Sequence, residues 1–411
     1  MSNLHFVFLQ GMPSAFFTRI GARLCDAGCR VTGINLCFGD WLFWKGANTV
    51  NYRGSLADWP AFLGHFLSSN GVTDIVLLGE QRNYHRQAVA LAQAQGVRVT
   101  VTDFGYLRPD WITLERDGMG GNSRFPRDSR EIQALARQLP RPDLARRFSD
   151  SSNAMEAGDI IYNLGNILFW YLYPRYRRSD QRGHPILYAL TGARRRLSAL
   201  GGGCRAAGVL EEMRAKSLRY FLFPLQLEHD FQIVAYSPYA NLDEPIRLII
   251  QSFARYADVE ARLLVKVHPW DPGLKNWAKR VSRSAAESGV VDRVVFLDGG
   301  DLDEMIQGSV GMVTLNSTSG LRALQFGSPV KLLGQAVYDV PGLTFQGGLD
   351  EFWGIAAPPD AGLVDDFIRA LAGTIQIRGV FFSEPGLTAA VATAVERLLT
   401  GTVGVSPRCT T

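Results

Sequence analysis

The chain contains 411 residues, 46% hydrophobic and 20% charged, and this length predicts two or three domains whose cores need neither disulfides nor metals. The 43 basic and 39 acidic residues leave a net charge of +4, which argues against a protein that binds nucleic acid along its length. Eight Trp, 23 Phe and 13 Tyr supply enough apolar surface to exclude wholesale disorder.

The cysteines indicate a reducing compartment. Their number is odd and no second pair completes a metal-binding spacing: Cys25, Cys29, Cys37, Cys204 and Cys409. The first residues lead directly into the apolar run LHFVFL, and no run is long enough to span a bilayer. We therefore expect a cytoplasmic protein without a bound metal, one that can still touch a membrane surface.

The first 105 residues alternate between strand and helix patterns. The run LHFVFLQG ends in a Gly turn, and DIVLL is short and continuously apolar, as in strands that a parallel sheet buries. Helical periodicity stops at Gly28 and again at Gly71. The pattern predicts a doubly wound N-terminal domain over residues 1–130, with strands at 4–9, 30–36, 74–78 and 97–102.

Residues 131–215 break this alternation and predict a helical middle section. Residues 160–173 are apolar and aromatic, and an arginine cluster opposed only by Asp180 follows: Arg175, Arg177, Arg178, Arg182, Arg194, Arg195 and Arg196. An aromatic face beside arginines can lie on an anionic bilayer or hold a lipid phosphate. A buried helix followed by a solvated basic helix explains the same residues, and the sequence leaves both readings open.

A second α/β domain is predicted over residues 216–375, with strands at 219–223, 262–267, 294–297, 311–315 and 330–333. A helical tail is expected over residues 376–411. The predicted fold class is α/β, with two facing Rossmann-like domains and a cleft between them. Ligands of such sheets bind at the carboxyl ends of the strands, so the residues that follow each strand are the candidates for a site.

In the second domain, the turn Asn316, Ser317, Thr318, Ser319 immediately precedes a helix. Hydroxyls and backbone N–H groups at a helix N-terminus can bind a phosphate, although one hydroxyl there can simply cap the helix. His268 and Pro269 end another strand, where Pro269 fixes the turn and the imidazole can donate to a phosphate or act as an acid.

The loop QLEHD follows the first strand of the second domain and contains Gln226, Glu228 and Asp230. A carboxylate at this position can act as a nucleophile or as a general base. An exposed polar loop without a chemical role has the same composition, and the residues alone do not separate these readings.

The first domain has polar residues in equivalent positions. Gln10 and Gly11 follow its first strand, and Asp40 and Trp41 follow its second. The loop GYLRPDWITLE follows its last strand and contains Arg108, which can bind a carboxylate, and Glu115, which can act as an acid or base.

Together these motifs resemble the capsule polysaccharide biosynthesis and export family, and in particular its β-Kdo transferases. The similar segments are LQG-x-P-x-x-FF, GDW-x-x-W, GYLRPDWITLE, QLEHD, HP and NSTSG-L-x-AL-x-x-G-x-PV, and they run from about residue 5 to residue 345. GYLRPDWITLE and GDWLFW are specific to this family, whereas HP and the Ser/Thr turn also occur in bacterial sialyltransferases that use CMP-sugars.

The resemblance implies a GT-B-like glycosyltransferase that uses CMP-β-Kdo, an activated eight-carbon acidic sugar, without a cofactor or catalytic metal. It would build the β-linked Kdo linker on a phosphatidylglycerol-type lipid, peripherally at the cytoplasmic face of the bacterial inner membrane. The anomeric configuration would be retained. Its partners would be the CMP-sugar, the anionic lipid and other capsule biosynthesis and export proteins, and no nucleic acid.

The resemblance also implies roles for the candidate residues. Asp230 is the expected nucleophile and Glu115 the acid/base group, with Glu228 as the second candidate. The expected donor-binding residues are Arg108, Gln226, His268, Pro269, Asn316, Ser317, Thr318 and Ser319. The expected acceptor-binding residues are Gln10, Gly11, Asp40, Trp41, Arg175, Arg177 and Arg178. Two alternatives remain: a transferase with another CMP- or nucleotide-activated sugar, and a non-catalytic module that binds the glycolipid for export.

Overall fold

The computed structural model describes residues 4–46, 48–178, 191, 202–228 and 230–404. It divides into two compact units. The first unit consists of Met1–Pro126, Gln133–Asp180 and Phe367–Thr411, and the second of Arg127–Ile132 and Gln181–Asp366.

The strands in the described residues are β1 His5–Phe8, β2 Arg30–Asn35, β3 Thr49–Asn51, β4 Asp74–Leu78, β5 Arg98–Phe104, β6 Trp111–Arg116, β7 Tyr220–Pro224, β8 Arg262–Lys266, β9 Val294–Leu297, β10 Gly311–Thr314, β11 Val330–Leu332 and β12 Gln376–Arg378. The helices are α1 Phe16–Asp26, α2 Phe38–Phe43, α3 Trp59–Ser69, α4 Asn83–Ala94, α5 Ser129–Arg137, α6 Ser152–Leu168, α7 Gly202–Ala215, α8 Phe231–Tyr236, α9 Asp243–Tyr256, α10 Trp277–Glu287, α11 Leu302–Gly308, α12 Thr318–Gln325, α13 Leu349–Ile355, α14 Ala361–Thr374 and α15 Gly386–Thr400.

The sheet of the first unit has the order β12-β6-β5-β4-β1-β2-β3. Strands β1 to β5 pair in parallel, whereas β6 runs antiparallel to β5 and β12 antiparallel to β6. Every residue of β4 is buried: the apolar run Ile75 to Leu78, as predicted, and also Asp74 at the start of the strand.

Strand β6 corrects the sequence analysis, in which the segment that contains Glu115 was read as a loop. Ile112 and Leu114 alternate into the apolar core with Phe6 and Phe8, and β12 satisfies the free edge of β6. Residues 376–404, expected to form a helical tail, contribute β12 and α15 to the first unit. The pairing partner of β6 lies far along the chain, so no local pattern indicated it.

The sheet of the second unit has the order β11-β10-β7-β8-β9, and all of its strand pairs are parallel. Its core contains Phe221 of β7, Phe253 of α9 and Trp353 of α13, with ring centroids 4.9 to 6.5 Å apart. The predicted α/β class with two Rossmann-like domains is confirmed.

The strand order of each sheet reverses at one position, between β1 and β4 in the first unit and between β7 and β10 in the second. Such reversals are the usual ligand-binding positions of open α/β sheets, because the two flanking loops diverge there. Gln10 and Gln226 each lie just after the first strand of their unit, and therefore at these two positions.

The middle section contains α5, α6 and α7, together with a 3-10 turn at Trp170–Leu172. Four arginines of the predicted cluster lie outside the described residues: Arg182, Arg194, Arg195 and Arg196. Among the described helices, none combines the length and the apolar character that a membrane crossing requires.

Candidate functional site

At the strand-order reversal of the second unit, the side chains of Gln226 and Asn316 form a reciprocal hydrogen-bonded pair. The Nε2 group of Gln226 donates to Oδ1 of Asn316 at 2.9 Å, and the backbone N–H of Asn316 donates to Oε1 of Gln226 at 3.2 Å. Nδ2 of Asn316 also donates to the carbonyl of Tyr236 at 3.4 Å. Both amides are buried, so the pair fixes the loop after β7 against the loop after β10. The structure thus brings these two predicted donor-binding residues together.

The turn after β10 is a helix cap with additional hydroxyls. Oγ of Ser317 accepts from the backbone N–H of Ser319 at 3.2 Å and from the Ser319 hydroxyl at 2.9 Å. The Tyr338 hydroxyl donates to the carbonyl of Ser317, and a Cβ at Gly320 would lie 2.3 Å from that hydroxyl. Capping therefore accounts for Ser317, and Thr318 is half-buried at the first position of α12.

His268 follows β8, the neighbour of β7 on the side opposite β10. Its Nδ1 accepts from the backbone N–H of Trp270 at 3.1 Å, so the neutral ring carries its proton on Nε2. Asp271 supports this loop, since it accepts from the Gly273 N–H at 2.8 Å and from Nε1 of Trp277 at 2.9 Å. The half-buried imidazole can thus present an N–H donor, and Pro269 beside it is exposed.

Of the two carboxylates in the loop after β7, Glu228 is held in an ion pair. Lys275 approaches its Oε1 at 2.5 Å, and the backbone N–H of Leu242 approaches the same oxygen at 3.4 Å. Asp230 immediately precedes α8, and its carbonyl accepts from the N–H of Ile233 at 3.0 Å. His229, between them, lies outside the described residues.

The strand-order reversal of the first unit contains a buried polar network around Gln10. Nε2 of Gln10 lies 3.3 Å from Oδ1 of Asp40, 3.1 Å from the Tyr162 hydroxyl and 3.2 Å from the Tyr176 hydroxyl. The Tyr162 hydroxyl donates to the same Asp40 oxygen at 2.8 Å, and the Leu36 N–H donates to the other oxygen at 2.9 Å. Desolvation raises the pKa of Asp40 despite these hydrogen bonds. Asp40 is therefore a fully engaged carboxyl group that joins the sheet to α6.

The other predicted acceptor-binding residues lie around this network with different exposure. Gly11 packs against Phe17, since a Cβ there would lie 2.5 Å from the ring. Trp41 is 44% exposed. The three described arginines of the predicted cluster are exposed as well: Arg175, Arg177 and Arg178.

Glu115 lies inside the first unit and is 1% exposed. One of its oxygens accepts from the Tyr106 hydroxyl at 2.7 Å, and the other accepts from the Ser123 hydroxyl. Burial raises the pKa of Glu115 to about 8, so it carries a proton at neutral pH. The Arg108 guanidinium lies 5.1 Å from the centre of the Phe104 ring, near the start of the loop that precedes β6.

The sequence analysis missed Glu80, which follows β4 at the strand-order reversal of the first unit. It is 3% exposed, and burial raises its pKa to about 7. A polar residue after the buried run DIVLLG is the same signal that marked Gln10, so this residue could have been found. Tyr162 and Tyr176 could not, because nothing local connects them to Gln10.

Two α/β units with polar side chains at their strand-order reversals define a two-domain protein with candidate ligand sites at the carboxyl edges of its sheets. Residues 73–382 match the family described as capsule polysaccharide biosynthesis protein, and the chain belongs to that family. The resemblance found in the sequence is confirmed at this level.

Two curated relatives match nearly the whole chain. It is 27% identical over 394 residues to the capsule polysaccharide export protein KpsS of Escherichia coli, covering 93% of this chain and 98% of KpsS. It is 29% identical over 391 residues to the capsule polysaccharide modification protein LipB of Neisseria meningitidis serogroup A, covering 92% of this chain and 91% of LipB. Among solved structures, Thermosulfurimonas dismutans KpsC, a β-Kdo 2,7 transferase, aligns with a TM-score of 0.47 and 14% identity over 96% of this chain and 99% of that chain.

Proposed function

We propose that this protein is a retaining glycosyltransferase that moves Kdo from CMP-β-Kdo to a phosphatidylglycerol-type lipid and so starts the poly-Kdo linker of a capsular polysaccharide. The observation that carries the proposal is the Gln226–Asn316 pair, which holds the Ser/Thr turn beside the strand-order reversal of the second sheet. Membership of the capsule family supplies the biological setting. The protein would work peripherally at the cytoplasmic face of the inner membrane, with other capsule proteins.

The second unit would bind the CMP phosphate through N–H and hydroxyl donors. His268 would donate from Nε2, and Thr318 and Ser319 would contribute at the positive end of α12. Gln226 and Asn316 would position this turn. Arg108 of the first unit would pair with the Kdo carboxylate, for which a guanidinium is well shaped.

Retention requires two displacements. In the first, a carboxylate oxygen of Asp230 attacks the anomeric carbon, the bond from that carbon to the phosphate oxygen breaks, and CMP leaves with the electron pair. In the second, a hydroxyl of the lipid attacks the same carbon, the bond to Asp230 breaks, and a base takes the hydroxyl proton. Asp230 is the proposed nucleophile, and Glu228 of the same loop is held in an ion pair with Lys275.

We assign the proton transfer to Glu115. Its raised pKa keeps it in the acid form at neutral pH, so it would give its proton to the phosphate oxygen of the leaving CMP in the first displacement, and the carboxylate that remains would take the hydroxyl proton of the lipid in the second. The hydrogen bonds that Glu115 accepts from Tyr106 and Ser123 inside the first unit are, in contrast, those expected of a carboxyl group with a structural role. The isosteric variant Glu115→Gln decides between them: a loss of turnover at unchanged stability supports the catalytic role, and a loss of stability at unchanged turnover contradicts it.

The test of the function is mass spectrometry of the lipid formed from CMP-Kdo and fluorescent phosphatidylglycerol. We expect a product heavier by one or more Kdo residues, with no product from CMP-sialic acid or from phosphatidylcholine. Preferred use of CMP-sialic acid would contradict the donor assignment. If Asp230→Ala, Glu115→Ala and His268→Ala all transfer Kdo like the wild type, the catalytic assignment of these residues is wrong. If the wild type binds the glycolipid but transfers no Kdo, the enzymatic proposal is wrong and the glycolipid-binding alternative stands.

A further inference from the structure

Helix α6 and the turn that follows it present an apolar surface to solvent. Six large side chains there are each 49% to 64% exposed, and we call them the α6 stripe: Ile160, Ile161, Leu164, Leu168, Trp170 and Tyr171. Soluble proteins rarely expose apolar side chains in a continuous cluster unless the surface binds a partner.

The opposite face of α6 is the one that contacts the first unit, and it is small and polar. A Cβ at Gly39 would lie 2.5 Å from the Tyr162 ring, and one at Gly165 would lie 2.9 Å from Phe38. The backbone N–H of Gly39 donates to Oδ1 of Asn166 at 2.7 Å. The helix is thus closely fixed with its polar side inward and its apolar side outward, the reverse of an ordinary surface helix.

The surroundings of the α6 stripe favour an anionic lipid bilayer as its partner. Trp41 extends the surface through Phe38. The centroid of the Phe38 ring lies 5.2 Å from that of Trp41 and 4.3 Å from that of Phe169, which follows α6. Trp and Tyr are the residues that membrane interfaces favour. The cations Lys45, Arg175, Arg177 and Arg178 are exposed in the adjoining segments, and the acidic residues of α6 precede the stripe. A symmetric contact between two copies would place these like charges on both sides of one interface.

We infer that the α6 stripe inserts into the headgroup region of an anionic bilayer, with its apolar side chains among the acyl chains and the arginines at the lipid phosphates. Because Tyr162 of α6 contacts Gln10 and Asp40, insertion holds the strand-order reversal of the first sheet at the membrane surface. The inference rests on the proposed function only for the lipid nature of the acceptor, and the donor chemistry has no part in it.

The first test is flotation of the full-length protein with vesicles of phosphatidylcholine and phosphatidylglycerol. Ile161→Glu, Leu164→Glu and Leu168→Glu together should weaken binding at least about tenfold at both low and high salt, because apolar burial is not screened. The matched control is Val259→Glu with Ile355→Glu, two side chains of the second unit that are 73% and 68% exposed. Unchanged binding of the stripe variant, or an equal loss in the control, would overturn the inference.

The second test measures insertion itself. Lipids brominated in their acyl chains should quench the tryptophan emission of the wild type more strongly than that of Trp170→Phe, and equal quenching contradicts insertion. The stripe would instead be a contact between two copies if the wild type is a dimer and the stripe variant is a monomer that still binds vesicles. Both tests omit CMP-Kdo, so they do not depend on the proposed transferase activity. Binding to vesicles without Kdo transfer would contradict only the proposed function. Kdo transfer to detergent-dispersed lipid without binding to vesicles would contradict only this inference.

Discussion

At the scale of single residues, the amide pair of the second unit makes a direct prediction. Asn316→Ala removes the side-chain oxygen that accepts from Nε2 of Gln226 and leaves that buried amide N–H without this partner, whereas the backbone N–H of residue 316 can still donate to Oε1 of Gln226. The free energy of unfolding should fall by about 1–3 kcal/mol, and CMP should bind more weakly because the turn after β10 loses its support. Urea unfolding and calorimetric titration with CMP measure the two effects. A loss of stability with unchanged CMP affinity would show that the pair is structural only.

Glu115 predicts how stability depends on pH. Burial raises its pKa in the folded protein to about 8 from an ordinary value of 4.5, so the folded state keeps a proton that the unfolded state releases between these values. The contribution of Glu115 to stability should therefore be complete below about pH 4.5 and be lost as the pH rises toward about 8, by up to about 1.4 kcal/mol per pH unit. Urea unfolding across this range should show a smaller slope for Glu115→Gln than for the wild type. An identical slope would mean that Glu115 is ionised in the folded protein.

At the scale of secondary-structure elements, the Tyr162 hydroxyl fixes α6 to the sheet. Tyr162→Phe removes its bonds to Asp40 and Gln10, and the free energy of unfolding should fall by about 1–3 kcal/mol. Tyr171→Phe is the matched control, since Tyr171 is an exposed tyrosine of the turn after α6 and its replacement should change stability by less than about 0.5 kcal/mol. Urea unfolding compares the two, and equal effects would contradict the proposed role of Tyr162.

The same elements show where sequence patterns succeed and where they fail. Strand β4 was predictable because the short apolar run Ile75 to Leu78, between Asp74 and Gly79, has few alternatives to burial in a parallel sheet. Helix α6 was predicted to be apolar, but its orientation depends on Gly39, Gly165 and Tyr162, which no periodicity reveals. In the described residues the buried-helix reading is wrong for this segment, because its apolar side chains are exposed.

At the scale of the whole molecule, the sequence predicted that candidate residues follow the carboxyl ends of strands, whereas the strand order and its two reversals are findings of the structure. Gln226 and Asn316 lie together because they follow β7 and β10, which are neighbours in the sheet. The network around Gln10 could not, since it depends on tyrosines contributed by a segment more than a hundred residues away. Local sequence patterns therefore predict the strands of the sheets, whereas the polar network around Gln10 also needs side chains from a distant part of the chain.

The return of the C-terminal segment to the first unit makes the last prediction. Val391 of α15 is 1% exposed and lies in the core with Phe16 and Ile20 of α1. Val391→Asp should lower the free energy of unfolding by about 3–5 kcal/mol, because it places a carboxylate without a partner among apolar side chains. Leu399→Asp on the same helix is the matched control, since Leu399 is 36% exposed and the carboxylate there can reach water. Urea unfolding followed by tryptophan fluorescence measures both variants. Equal, small effects would mean that the C-terminal helix is an appendage, whereas a large loss in Val391→Asp alone would establish it as part of the first unit.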